Sequence, residues 1–194
     1  MEIAHPADVH QFWFGELDAQ GIARDSQRRS WFLRNDDFDR AIATQFAQTV
    51  AAAERGELDH WCKIPKDWVC YLIVCDQFPR NLRRGNAAAF ALDSRARQAA
   101  RDGLHAQHHR QLGLDEQSFC FMPFMHSEDL LDQYLAVGLF TTLRDHATDK
   151  GRSYAGNSLR HAQQHRDTIL QFGRFPYRNA ALGRTSTQAE RDSI

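Results

Sequence analysis

The stretch Pro65–Asn81 reads PKDWVCYLIVCDQFPRN and decides the fold. Pro65 suits the first turn of a helix, and the residues from Trp68 to Cys75 are apolar on most sides. Because such a helix has almost no face for solvent, we expect it to lie in the centre of the core. Pro79 lacks a backbone donor and disfavours helical geometry at Phe78, so the helix is predicted to end near these two residues.

Helical periodicity continues on both sides of this central helix, whereas strand-like alternation is hard to find. Phe38, Ile42, Phe46 and Val50 recur at four-residue spacing and predict an amphipathic helix over residues 37–55. The other predicted helices are a short one between Pro6 and Gly15, longer ones over Ala87–Arg101, Ser127–His146 and Tyr154–Gln171, and a last one after the capping-box pair Thr187 and Glu190.

These segments predict an all-α fold of about seven or eight helices in a single domain over residues 1–194. The connections between them are short and often contain glycine or proline. Consecutive helices are therefore expected to pack as stacked antiparallel hairpins. The stretch His105–Gly113 is polar and poorly periodic, and we interpret it as a solvated connection.

The composition narrows the range of partners. With 24 basic and 25 acidic residues the net charge is −1, so no whole-molecule field attracts nucleic acid or an anionic membrane. No apolar run approaches the roughly 18 residues of a membrane span, and the first residues lack a basic region followed by an apolar stretch. We therefore expect a cytoplasmic protein that binds neither nucleic acid nor membrane; a homodimer is left open.

Three short segments carry the polar side chains of a candidate site. Phe78-Pro79-Arg80-Asn81 and Phe175-Pro176-Tyr177-Arg178-Asn179 nearly repeat each other, about a hundred residues apart. Each places an aromatic residue and a helix-breaking proline before an arginine and an asparagine. Between them, Met122-Pro123-Phe124-Met125-His126-Ser127-Glu128-Asp129 runs from an apolar turn into a histidine and two acids.

The segments Asp76–Gly85, Met122–Gln133 and His165–Arg184 together resemble a bacterial family catalogued as domain of unknown function 924. The likeness extends from Phe12-Trp13-Phe14-Gly15 to Ser186-Thr187, nearly the whole chain. The resemblance implies an all-helical, tetratricopeptide-like fold of a single domain. It implies no agreed activity, and a function borrowed from the superfamily would rest on fold analogy alone.

The first functional hypothesis is a binding protein for an anionic small molecule or a peptide terminus. Arginine presents five donors in a planar fork that suits a carboxylate or phosphate, so two such turns brought together would form an anion pocket. The alternative is that each arginine caps helix-end carbonyls or pairs with a nearby acid. The candidate ligand-binding residues are Asp76, Gln77, Arg80, Asn81, Gln133, Arg174, Arg178 and Asn179.

The second hypothesis is a metal-independent enzyme that acts on a small anionic substrate held by the arginines. His126 or His165 would serve as acid or base, and Glu128 or Asp129 would orient the histidine. The same acids can equally be helix N-terminal charges with no further duty. If the site is catalytic, its groups should lie within hydrogen-bond reach in a small closed pocket; a binding module should show a long open groove.

No cofactor or metal is predicted. The sequence contains no glycine-rich phosphate loop, Gly-x-Ser-x-Gly word or His-Glu-x-x-His word. His161 and His165 lie four apart on a predicted helix and could share a metal, but two ligands are too few for a site unless His126 or Glu128 joins them, and Arg160 and Arg166 beside them disfavour a cation.

Overall fold

The computed structural model describes residues 2–193, and within them the all-α prediction is confirmed, with one isolated bridge between Leu17 and Ala23 as the only strand-like pairing. Helices α4 and α5 are joined by a π-helical turn, Ile73–Gln77, so the ten segments of this range form nine helices against the seven or eight predicted. The segments are α1 (Pro6–Phe14), α2 (Asp25–Phe32), α3 (Asp36–Glu54), α4 (Pro65–Leu72), α5 (Phe78–Leu82), α6 (Asp93–His105), α7 (Leu114–Met125), α8 (Leu130–His146), α9 (Asp149–Phe172) and α10 (Gln188–Arg191).

The rod formed by α4, the π turn and α5 runs through the middle of the core. Every residue from Trp68 to Asp76 is buried, and one apolar cluster extends around this rod from α1 to α9. Phe78 stacks against Phe46 of α3 and meets Trp13 of α1 edge to face. The apolar run of the sequence therefore lies where its composition predicts.

The predicted helix end at Phe78 and Pro79 is wrong, because the chain widens into the π turn just before the proline. The backbone N–H of Phe78 bonds to the carbonyl of Ile73, five residues back. In an α-helix the ring of Pro79 would clash with the carbonyl four residues earlier, and the widened turn relieves that clash. The helix consequently continues to Leu82, with Pro79 in the first turn of α5.

Helix α8 begins two residues later than predicted. Its N-cap is Asp129, whose side chain accepts hydrogen bonds from the backbone N–H groups of Leu131 and Asp132. Ser127 is buried in the turn between α7 and α8, and its hydroxyl accepts from the N–H of Asp129. The supposed apolar turn before it is the last turn of α7, with Pro123 inside the helix.

The predicted helix over residues 87–101 is split and shifted in the structure. Ala87–Phe90 form a 3-10 turn, and α6 starts at Asp93 and passes through Gly103 to its end at His105. The indole ring of Trp68 packs directly on Gly103, and its Nε1 donates a 2.8 Å hydrogen bond to the carbonyl of Ala99. Gly103 thus serves close packing and does not end the helix.

The connection after α6 is less solvated than predicted. His108 and His109 are half-buried in a 3-10 turn, His108 against Trp68 and His109 against Phe121. Elsewhere the local signals hold: α1 ends at Gly15, α9 ends at Gly173, and Thr187 and Glu190 form a capping box. None of the helices in residues 2–193 has the length and apolar character required to traverse a bilayer.

Replacing Gly103 with alanine should destabilise the fold. The added methyl group would overlap the indole ring of Trp68, and such overpacking typically lowers the free energy of unfolding by about 1–3 kcal/mol. Gly138→Ala is the matched control, since its methyl group meets no atom and alanine favours the helix by about 1 kcal/mol. Urea denaturation should therefore show opposite shifts for the two variants; a Gly103→Ala protein as stable as the parent would contradict this packing.

Candidate functional site

A cleft of about 770 Å³ lies between α2 and α9. The π turn, the start of α5 and the end of α7 form its floor. The floor and the α9 side contribute three histidines and Arg80, and the α2 side contributes both charged residues and the apolar residues Trp31, Phe32 and Leu33. The cleft is lined by Asp25, Arg28, Arg29, Trp31, Phe32, Leu33, Gln77, Arg80, Met122, Met125, His126, Tyr154, Asn157, Ser158, His161 and His165.

A buried aspartate and a histidine form a pair at the floor of this cleft. Asp76 lies in the π turn with 2% of its side chain exposed, and both of its carboxylate oxygens lie 2.9 Å from Nδ1 of His126. Because a carboxylate only accepts hydrogen bonds, the ring hydrogen must be on Nδ1. Nε2 of His126 has no hydrogen-bond partner among residues 2–193 and borders the cleft.

The surroundings of the pair set its charge. Burial opposes ionisation of Asp76, but the nearby charges of Arg80 and His126 outweigh it and hold the pKa of the carboxyl at about 2. Burial lowers the pKa of His126 below its usual 6.5, and Asp76 offsets this only in part. At neutral pH the site therefore holds a carboxylate beside an uncharged imidazole. The acid that contacts His126 is Asp76, and neither Glu128 nor Asp129 does so.

Arg80 and Arg178, from the two similar turns, meet at Asp93 on the first turn of α6. Arg80 donates a 3.0 Å hydrogen bond to Oδ2 of Asp93, and Nη1 of Arg178 lies 3.5 Å from the same oxygen. Arg80 also donates to the backbone carbonyl of Asp76 and pairs with its carboxylate. Arg178 donates a 2.9 Å hydrogen bond to the backbone carbonyl of His126. Two arginines and two aspartates thus balance each other's charge.

Asp93 was missed by sequence reasoning. In the sequence Asp93 lies inside the helix predicted over Ala87–Arg101. No local motif distinguishes it from any other acidic residue on a helix. Only the packing of α6 against the π turn brings it to the arginines. Burial raises its pKa, and the charge of Arg80 opposes that rise.

Three predicted site residues instead brace the C-terminal segment. Glu128 accepts hydrogen bonds from the N–H of Phe175 and from Arg184, so it holds the turn that carries Arg178. Arg174 forms a paired contact with Glu190 of α10 and donates to the carbonyl of Thr185. Asn179 is buried and donates to Ser186 and Glu190. None of the three lines the cleft.

Three further predicted residues lie outside the cleft as well. Asn81 donates to Asp39 of α3, on the opposite side of α5 from the polar floor. Gln133 is fully buried and donates to the carbonyls of Met125 and Ser127, which closes the turn between α7 and α8. Asp129 caps α8. Gln133 and Asp129 thus satisfy backbone groups that the turn and the helix end leave unpaired.

His165 does lie in the cleft beside His126. The two ring centroids are 6.4 Å apart, and Nδ1 of His165 lies 2.8 Å from the backbone carbonyl of His161. Burial lowers the pKa of His165. Within residues 2–193 no group of three or more histidine, cysteine, aspartate or glutamate side chains is placed to hold a metal ion.

The apolar wall of the cleft comes from α2, a helix that the sequence did not predict. Its letters DSQRRSWF lack apolar periodicity, and none of its residues is fully buried. Two residues hold it in place: Arg28 pairs with buried Asp115 and stacks on Tyr154, 3.7 Å from the ring centroid, and Trp31 packs on the core rings of Trp13, Phe14 and Phe119. Phe32 and Leu33 remain 62% exposed at the rim.

Fold and site together define an all-helical protein with a histidine–aspartate pair at the floor of a partly apolar cleft. The family model described as "Bacterial protein of unknown function (DUF924)" matches residues 9–194, so the chain belongs to this family. A solved structure of a protein of unknown function from Agrobacterium tumefaciens is similar, with 32% identity and a TM-score of 0.82 over 97% of this chain and 95% of that one. Among proteins with a curated description, no match is found.

The charge state of His126 can be measured directly. We expect an NMR titration of its Cε1–H to give a pKa below 6.5, and Asp76→Asn to lower it further because the carboxylate favours the imidazolium. Asp145→Asn, an exposed change on α8, is the control and should leave the titration unchanged.

The lowered pKa of His126 also links stability to pH. Because His126 in the unfolded chain binds more protons below pH 6.5 than it does in the fold, it should make the fold less stable as the pH falls through that value. A pKa above 6.5 would contradict the site as described.

Proposed function

We propose that the chain is an enzyme that uses general acid–base catalysis, with His126 as the proton-transfer group and the cleft as the site for a small substrate. One observation carries this proposal. Both oxygens of Asp76 lie 2.9 Å from Nδ1 of His126, and Nε2 is left free at the floor of the cleft. An imidazole held in this tautomer presents a lone pair that can accept a proton from a bound molecule.

The neighbours of Asp76 suit that role. Gln77 donates a 2.6 Å hydrogen bond to Oδ2, and Arg80 pairs with Oδ1, so the carboxylate stays charged and fixed in orientation. When Nε2 takes a proton, the imidazolium forms directly beside this carboxylate and is stabilised by it. His126 begins as a neutral base near physiological pH, as efficient proton transfer requires.

The position of the pair within the fold also supports catalysis. Asp76 belongs to a π turn, a distortion that is frequent at functional sites because it re-aims a side chain within a continuous helix. Asp76, His126 and Arg178, one from each of the three segments, are neighbours at the base of the cleft, which is bounded by α2 and α9.

The anion-binding hypothesis draws less support from the same geometry. Arg80 and Arg178 already bind the carboxylates of Asp76 and Asp93 and two backbone carbonyls. An anion between the two guanidinium groups would have to displace Asp93, leaving a buried carboxylate without its partners. Binding of an anion or a peptide terminus at these arginines remains a prediction of the sequence.

Metabolite profiling tests the enzyme proposal without a known substrate. The protein is incubated with a bacterial metabolite extract, and mass spectrometry follows each compound over time. We expect at least one compound to be consumed by the parent protein. His126→Ala and Asp76→Asn should slow that consumption by about 10²–10⁴-fold, the usual contribution of general acid–base catalysis.

Arg174→Gln is the control, because Arg174 directly precedes one of the repeated turns yet lies outside the cleft. It should consume the same compound at close to the parent rate. Circular dichroism establishes that all variants are folded. If extracts treated with the parent protein and with folded His126→Ala are indistinguishable, the chain is not an enzyme of this kind.

A further inference from the structure

Resting on the proposed function, we propose that the substrate offers a hydrogen-bond donor, a hydroxyl or an amine on an apolar body, to two histidines of the cleft. His126 takes the donor's proton, and His165 is a second acceptor that positions the same group. The class of ligand follows from the free groups of the floor, which are hydrogen-bond acceptors. Acceptors favour a ligand with a donor over the anionic ligand predicted from the sequence.

The two imidazoles carry their ring hydrogen on the same nitrogen. Nδ1 of His126 donates to Asp76, and Nδ1 of His165 donates to the carbonyl of His161 at 2.8 Å. A carboxylate and a carbonyl can only accept, so each ring keeps a lone pair on Nε2. Both residues line the cleft and their ring centroids are 6.4 Å apart, from which we infer that one bound group reaches both lone pairs.

Gln77 adds a third acceptor to the floor. Its amide nitrogen donates to Oδ2 of Asp76 at 2.6 Å and lies 3.6 Å from the sulfur of Met122. The side-chain oxygen is thereby left as the free end of the amide, on the surface of the cleft.

The donors close to the floor are already engaged. Arg80 lies at this floor, and its guanidinium group binds the carboxylates of Asp76 and Asp93 and the Asp76 carbonyl. Two more arginines line the cleft from α2: Arg28 pairs with Asp115, and Arg29 is exposed to solvent. The floor therefore offers hydrogen-bond acceptors. A carboxylate or phosphate is also an acceptor and cannot hydrogen-bond to them. A hydroxyl or amine hydrogen satisfies them.

The rest of the cleft describes the body of the substrate. Trp31, Phe32 and Leu33 form one wall, and Met122 and Met125 lie beside the histidines. Phe32 and Leu33 are each 62% exposed, so an apolar group seated here would remove them from water. An alcohol or amine with a hydrophobic tail fits both the floor and the α2 side of the cleft. When its O–H or N–H bond breaks, the proton forms an Nε2–H bond on His126, the electron pair stays on oxygen or nitrogen, and the imidazolium is left beside the Asp76 carboxylate.

The tautomers provide the first test and need no ligand. Long-range ¹H–¹⁵N NMR spectra of the histidine rings at pH 7.5 should show Nδ1–H and a bare Nε2 for both His126 and His165. An Nε2–H tautomer at His165 overturns its role as an acceptor. That result would leave the proposed catalysis by His126 intact, so the two failures are distinguishable.

The second test compares three matched probes, 3-phenylpropan-1-ol, 3-phenylpropylamine and 3-phenylpropionate. We expect the alcohol or the amine to shift the Nε2 resonances of both histidines. The carboxylate should bind at least about tenfold more weakly. His165→Phe keeps the aromatic shape but removes the acceptor, and should weaken binding of the donor probe about three- to tenfold. Arg174→Gln, outside the cleft, should not change it.

Three results would overturn the inference: equal or tighter binding of the carboxylate, binding of none of the probes, or no effect of His165→Phe.

A zinc titration completes the design, since two Nε2 atoms without hydrogen also suit a metal. Saturable binding of one equivalent of Zn²⁺ that is lost in both His126→Ala and His165→Phe would identify a metal site and exclude the role given to the two acceptors here.

Discussion

The π turn at Ile73–Gln77 is the constraint on which the fold and the site both depend. It absorbs Pro79 without breaking the central helix, and the extra residue turns Asp76 into the core. An ionised carboxylate there would cost several kcal/mol if it were left without partners. The chain supplies those partners from three directions: Arg80 one turn on, His126 at the end of α7 and the amide of Gln77.

The same ion pairs also hold the helices in position. Arg80 joins the π turn to Asp93 at the start of α6, and Arg178 joins Asp93 to the last carbonyl of α7. Because every member is largely buried, removal of one leaves another charge unpaired, and the loss exceeds the net strength of the pair. The arrangement therefore rigidifies the floor of the cleft, which is how a side chain is kept in one productive orientation.

Some helix bounds were predicted well from the sequence and others were not. Apolar spacing located α3 and α9 to within a few residues, and glycine and capping-box words fixed the ends of α1, α9 and α10, since these signals are local. The proline rule failed at Pro79, because the widened turn that tolerates it depends on packing around the rod.

Helix α2 was not predicted because it lacks an apolar stripe; the Arg28–Asp115 pair and the single aromatic ring of Trp31 hold it to the core. Asp76, Arg80, His126, His165 and Arg178, which the sequence analysis named as site residues, are neighbours in the structure. The acid that joins the two arginines, Asp93, comes from a part of the sequence with no site motif.

The pairing of the arginines has a chemical consequence for the two histidines. Arg80 and Arg178 fix Asp76 and the backbone of His126, so a carboxylate faces one imidazole and only a carbonyl faces the other. A proton arriving at His126 is stabilised by a full negative charge, whereas one arriving at His165 meets burial and the nearby charge of Arg178. Burial lowers the pKa of both rings, and two rings that look alike in the sequence differ in what faces Nδ1: a carboxylate at His126 and a backbone carbonyl at His165.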